Sequence, residues 1–337
     1  MRDFAVTATT LLAAILWIGC NNSNVNPVAP VISGSWVRLD SANTHALVNA
    51  FTQIGNNILA GTPGGVLLST NGGTKWAQSN SGLPANTWVT SFAVLGTDVF
   101  LASLGNGMFV SSNNGVSWTA ANSGLANKFV QAVVTDGSNL YAGTYGGLWG
   151  TSGGGVFVST DNGIDWTEAS NGLLDSNVTA LVVSGGNVFA GTSTAGVFVT
   201  ANGGQRWSAV NNGLTYNWGI QGFAAGGGNL YAISEAYGLY VSKDGGSSWS
   251  AIVSPSNYVS SIALNGTDIY VGSGSGVSVS TDGGSTWGSF STGLTDSLVS
   301  TVAVMGNYVY AGNYGQTEPV IYHGPLLDFG IWRRTLK

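Results

Sequence analysis

The chain has 337 residues, room for two average domains or one large repeat fold. Only 7% of them are charged and 52 are glycine, which excludes a coiled coil, a helical solenoid and a charged disordered chain. Nine Lys and Arg against 15 Asp and Glu give a net charge of −6, and with no basic cluster nucleic acid is not an expected partner. The apolar fraction is 44%, with 12 each of Trp, Tyr and Phe, enough for a sizeable core. The single cysteine, Cys20, permits neither an intrachain disulfide nor a cysteine-based metal site. Packing and hydrogen bonds must therefore hold the fold.

Arg2 precedes an apolar run from Phe4 to Ile18. That run is short of the roughly 20 residues that span a bilayer and suits the apolar segment of a signal peptide. It ends in Leu16-Trp17-Ile18-Gly19-Cys20, which resembles a bacterial lipobox. The resemblance implies a signal peptide over 1–19 and lipidation of Cys20, hence a cell-envelope lipoprotein. With an incidental cysteine the same segment makes the protein a secreted one. Asn21 to Pro30 is polar with Pro27 and Pro30, and 20–33 is expected to be a flexible tether, leaving 34–337 as the folded unit.

From there the chain repeats. Trp36, Trp76, Trp118, Trp166, Trp207, Trp249, Trp287 and Trp332 recur about every 40 residues, the length of a four-stranded propeller blade. The second repeat shows the order: Trp88 to Val94, Asp98 to Ala102, Met108 to Ser111 and Trp118 to Ala120. These short runs, rich in Val, Phe, Tyr and Thr, end at Gly, Asn or Asp as strands do. Inner strands are expected near His45, Trp88, Phe129, Asn177, Trp218, Tyr258 and Leu298. The pattern predicts an all-β chain forming a single seven-bladed β-propeller of four-stranded antiparallel blades, closed by a terminal strand that hides the sheet edge. The tryptophans suggest eight outer strands, one of them spare, and either 35–39 or 330–336 could complete the last blade.

Six turns between third and fourth strands share one motif. Ser69-Thr-Asn71-Gly-Gly73-Thr-Lys-Trp76 is the first, and the others centre on Asn113, Asp161, Asn202, Asp244 and Asp282. The motif is similar to the Asp box of sialidases, sortilin-type receptors, some xyloglucanases and photosystem II assembly factors. That resemblance covers residues 36–337 and implies the propeller fold; families so diverse say little about function. A side-chain oxygen accepting turn amides, a glycine with positive φ and a buried indole make the motif structural. Asn replaces Asp in three copies, which suits a hydrogen-bond acceptor and not a metal ligand.

Alternating strand direction puts the loops from outer to next inner strand on one face with the loops from second to third strand, opposite the six turns. Function is expected there, at the channel mouth. Trp88, Phe129, Trp218 and Tyr258 begin inner strands, while Tyr145, Tyr237 and Tyr314 lie in second-to-third loops. An insertion in the third repeat adds Trp149. Exposed rings there would stack on sugars or anchor a protein. Asp175 and Asp296 occupy the same loop in two repeats, with Glu235 and Glu318 on the same face. Two carboxylates across a cleft could serve glycoside hydrolysis, or each could hold the turn before its strand.

Sialidases grip a carboxylate with three inward arginines, whereas only Arg38, Arg206, Arg333 and Arg334 follow Cys20 here, on outer strands or in a turn. The arginine-rich patch of the photosystem factors has no counterpart. Gly150-Thr-Ser152-Gly-Gly154 spells G-x-S-x-G without a following helix, and His45 and His323 make no zinc site. The reading is a monomeric binding or scaffold propeller for a protein or polysaccharide, with no metal or cofactor. A lectin-like glycan binder and a glycoside hydrolase using Asp175 and Asp296 are the alternatives.

Overall fold

The computed structural model describes residues 34–39, 47–146, 154–215, 219–235, 238–256, 258–295, 297–313 and 330–336. The chain forms seven four-stranded antiparallel sheets. Each inner strand packs on the inner strand of the next sheet, and the seventh returns to the first. This is a seven-bladed β-propeller. Inner strands are Ala50–Ile54, Trp88–Leu95, Val130–Thr135, Val178–Ser184, Ile220–Gly226, Val259–Asn265 and Val299–Met305, and they define blades 1 to 7.

The second and third strands of each blade lie between two neighbours, which explains their near-continuous apolar runs. Blade 2 has Val99-Phe100-Leu101-Ala102 and Met108-Phe109, all buried. Fourth strands such as Thr119–Ala120 are two or three residues long and largely exposed. The core is consequently divided into wedges between blades. Between blades 2 and 3, Phe100, Met108, Val130, Val133, Phe157 and Trp166 form one such wedge.

Closure corrects the expectation of a spare strand. In blade 7, Ile331–Thr335 is the third strand and Val37–Arg38 the fourth, with Val37 opposite Arg333 and Arg38 opposite Trp332. Both termini are used, and Trp332 is not an outer-strand tryptophan. It pairs with Ala311, as Phe109 pairs with Leu101 in blade 2, and fills a third-strand core position suited to a large ring. Arg334, 2% exposed, lies with its guanidinium 3.8 Å from the centre of the Phe290 ring and donates to the Phe290 carbonyl. Arg333 reaches across the seam to the Gly72 carbonyl of blade 1. Arg334 thus joins blades 6 and 7, and Arg333 closes the ring onto blade 1.

Two repeated contacts set the blade spacing. The indole N–H of Trp118 donates to Ser79, that of Trp166 to Ala121, that of Trp207 to Ala169 and that of Trp249 to Val210, each a backbone carbonyl of the preceding blade. Trp287 and Trp36 continue the series to Val253 and Phe290. The Trp76 indole, at the seam of blades 7 and 1, has no partner among the described residues. The second contact is a loop beginning with Asn80, Asn122 or Asn211, whose side-chain oxygen takes the N–H of Val66, Met108 or Val197. Its glycine lies against the next blade: a Cβ on Gly82 would sit 1.9 Å from the Trp118 carbonyl oxygen.

Candidate functional site at the channel mouth

At or beside the start of every inner strand stands a buried β-branched residue: Val48, Val89, Val130, Val178, Ile220, Val259 or Val299. Such a side chain fits the pleat against the next sheet. Immediately after it, six blades carry a β-bulge, a feature that redirects one side chain out of the regular alternation. The redirected residue reaches around the ring. Thr90 donates to the Val130 carbonyl at 2.8 Å, Thr179 to Ile220, Ser260 to Val299 at 2.6 Å and Ser300 to Val48 at 2.7 Å. Asn49, at the same place in blade 1, donates to Val89 at 2.8 Å. These five bonds form a belt that joins successive inner strands and crosses the seam between blades 7 and 1.

Above the belt lies a rim of rings. Trp88 pairs with Leu104, and Leu104 bridges to Phe129 in the next blade. The backbone of Phe129 is held on both sides: its N–H donates to the Asn127 side chain at 2.8 Å, and its carbonyl accepts from Tyr145 at 2.9 Å. Asn127 in turn donates to the Tyr145 carbonyl at 3.0 Å. The Phe129 ring is nonetheless 43% exposed, and Tyr258 is 47% exposed. Trp88 and Tyr145 are half-buried. Trp149, Trp218, Tyr237 and Tyr314 lie outside the described residues, as do Cys20, His45, Glu318 and His323.

Asp175 accepts four hydrogen bonds. Its Oδ1 takes the Asn177 N–H at 2.9 Å, and its Oδ2 takes the Thr194 N–H and hydroxyl, both at 2.8 Å, and the Ser193 hydroxyl at 3.1 Å. The carboxylate ties two loops of blade 4 together. Asp296, its expected counterpart, lies outside the described residues. Two residues after Asp175, the Asn177 side chain accepts the Gly146 N–H at 2.8 Å, linking blades 3 and 4. The Glu235 N–H donates to the Gly219 carbonyl at 2.9 Å, continuing the ladder in blade 5.

The six motif turns line the opposite face, where every acceptor is used locally. In the first, Asn71 Oδ1 takes the Lys75 N–H at 2.9 Å and the Ser69 hydroxyl at 3.0 Å, while Ser69 accepts the Gly73 N–H at 2.8 Å. Asn113, Asp161, Asn202, Asp244 and Asp282 take the same N–H four residues on. The hydroxyl and N–H of Ser248 hold the Asp244 carboxyl down at about 2, and those of Thr286 do the same for Asp282. Asp161, held by the Asp165 N–H and the Ser159 hydroxyl, is also lowered.

Two clefts open on this face. One of about 280 Å³ lies between blades 5 and 6, lined by Asn229, Tyr231, Thr267, Thr281 and Asp282. The other, of about 390 Å³, lies between blades 7 and 1 against Gln53, Asn56, Asn71, Met305, Tyr308 and Tyr310. Sequence reasoning placed the concavity at the channel and missed both, because gaps between blades depend on which turn side chains meet. Where Asn162 reaches Asp98, between blades 2 and 3, the space is bridged. The belt was also missed, although a β-branched residue followed by a polar one at seven equivalent places was its visible signal.

No protein-family model matches the chain, and no curated protein matches its sequence. Solved structures share its fold. The extracellular domain of BT4673 from B. thetaiotaomicron superposes with a TM-score of 0.69 at 15% identity, over 89% of this chain and 39% of that one. The chain therefore spans well under half the length of that protein. YCF48 bound to D1 peptide gives a TM-score of 0.69 at 16% identity, over 93% of this chain and 100% of that one. U3-55K gives 0.64 at 12% identity, over 90% and 98%. At such identities the likeness concerns the fold.

Proposed function

We propose that the protein is an exported, lipid-anchored propeller that binds a protein partner at its channel mouth and does no chemistry there. One observation carries this reading: Phe129 is fixed in backbone and open in side chain. A ring in solvent costs apolar exposure, and fixing its backbone beforehand lowers the ordering cost of binding. Large aromatic anchors of this kind dominate protein interfaces. With Trp88, Tyr145 and Tyr258, it gives the loop face an apolar rim around a polar channel.

Other features agree. The six turns keep their acceptors for their own amides, which supports a structural role for that face, and YCF48 in its solved complex carries a peptide. Asp175, the carboxylate a glycosidase would need, is already surrounded by four donors. Export and anchoring rest on the apolar run ending at Cys20, and the fold of the BT4673 extracellular domain suits an exported chain.

The test is selection of a phage-displayed library of random peptides, each about 12 residues long to span the mouth in extended form, on the full chain beside a glycan array. Phe129→Ala combined with Tyr258→Ala should abolish binding of the enriched peptides with little change in melting temperature. Glycan hits without peptides, or peptides indifferent to both substitutions, would overturn the reading.

A further inference from the structure

The belt is incomplete in a patterned way. Where five blades place Asn, Thr or Ser, blades 3 and 5 place Gln131 and Gln221 at the bulge. Neither glutamine side chain has a hydrogen-bond partner among the described residues; Gln131 is half-buried and Gln221 exposed. The carbonyls they would reach by position, those of Val178 and Val259, receive no side-chain hydrogen bond among the described residues, whereas the carbonyls of Val89, Val130, Ile220, Val299 and Val48 each receive one. Each gap also has an exposed ring beside it. Phe129 precedes Gln131 by two residues, and Tyr258 immediately precedes Val259.

A shorter hydroxyl side chain at either position would close the belt, so the glutamines forgo stabilising bonds at a face read above as functional. We infer that the two gaps are subsites for the main chain of an uncharged, extended peptide segment of the partner, an assignment that rests on the mouth being the binding surface. A carboxamide carries a donor and an acceptor side by side, matching the N–H and C=O of a peptide unit, and the neighbouring carbonyl, which has no side-chain donor among the described residues, takes a further N–H. The seven belt positions are Asn49, Thr90, Gln131, Thr179, Gln221, Ser260 and Ser300, without a single charge. A charged side chain reaching the belt itself would lose water and meet no counter-charge among these seven positions, which is costly; the charges of Lys128 and Glu235 stand exposed on the rim beside Phe129 and Gly219. The rings of Phe129 and Tyr258 cover apolar side chains of the same segment.

The experiment compares peptides enriched from the same library on the full chain, on Phe129→Ala/Tyr258→Ala and on Gln131→Thr/Gln221→Thr, by calorimetric titration. The enriched peptides should be uncharged at their centre and bind the threonine pair about tenfold or more weakly, as expected for lost hydrogen bonds. The same variant should melt about 2–4 °C higher, because two belt bonds are restored. Loss of affinity in the alanine pair with none in the threonine pair would overturn the glutamine assignment alone. Full affinity in the alanine pair would overturn the mouth as the binding surface. Enrichment of charged peptides, or a lower melting temperature in the threonine pair, would contradict the chemistry assigned to the gaps.

Discussion

The two faces of the disc are built from the same seven repeats and use them differently. On the face of the six turns, equivalent positions hold equivalent residues, and each motif acceptor is satisfied within a few residues of its origin. At the channel mouth the residue before each inner-strand Val or Ile is Leu47, Trp88, Phe129, Asn177, Gly219, Tyr258 or Leu298, and only leucine occurs twice. Where the fold needs a contact, the repeat is uniform; where the repeat diverges, the fold does not prescribe the side chain. Residues tied into neighbouring blades should therefore govern stability, and residues at the divergent mouth should govern binding.

The largest stability effect is expected where backbone meets backbone between blades. Gly82 has φ of +87°, and a Cβ there would overlap the Trp118 carbonyl. Gly82→Ala should lose about 3 kcal/mol or more in urea denaturation. Gly96, also at positive φ but with nothing within 4 Å, is the control, and its alanine variant should lose only about 1 kcal/mol. Equal losses would mean that the blade contact does not matter.

Asp175→Ala removes an acceptor shared by four donors and should cost about 1–3 kcal/mol. A smaller difference tests the indole series. Trp166→Phe loses a ring N–H bonded to Ala121, while Trp76→Phe loses one without a described partner. The first should exceed the second by about 1 kcal/mol in thermal denaturation, and the reverse order would contradict the role given to the indoles.

The finest effect is one of pH. The carboxyls of Asp244 and Asp282 lie at about 2 in the folded chain, below their unfolded value of about 3.9. Their contribution is complete above the unfolded value and is lost as pH falls from about 4 towards about 2. Asp244→Asn with Asp282→Asn keeps the acceptor that Asn71, Asn113 and Asn202 provide elsewhere, and removes the titration. The double variant should show a flatter acid limb in melting temperature across that window.

The fold was legible because identical residues answer identical local needs: Trp118 and Trp166 each carry an indole to the preceding blade, and Gly73 and Gly115 each take a positive φ. Closure was not, since pairing Val37 with Arg333 joins opposite ends of the chain and leaves no local trace. Trp332 misled for a related reason, as the core position that takes Phe109, Phe157 and Phe198 in other blades also accepts Trp. At the mouth, strand direction placed Phe129 and Tyr258 on the loop face, where both rings stand exposed. The belt escaped notice because Asn, Thr, Gln and Ser look interchangeable in a polar stretch, and only geometry shows that three of them close the gap while Gln leaves it open.

Hydrogen exchange on the full chain with an enriched library peptide bound tests the division between the faces most directly. Protection is expected at 128–131, 177–179, 219–221 and 258–260, with the turns at 71–75 and 244–248 unchanged. Protection confined to the turn face, around the cleft of Asn71 and Tyr308, would contradict the assignment of binding to the mouth.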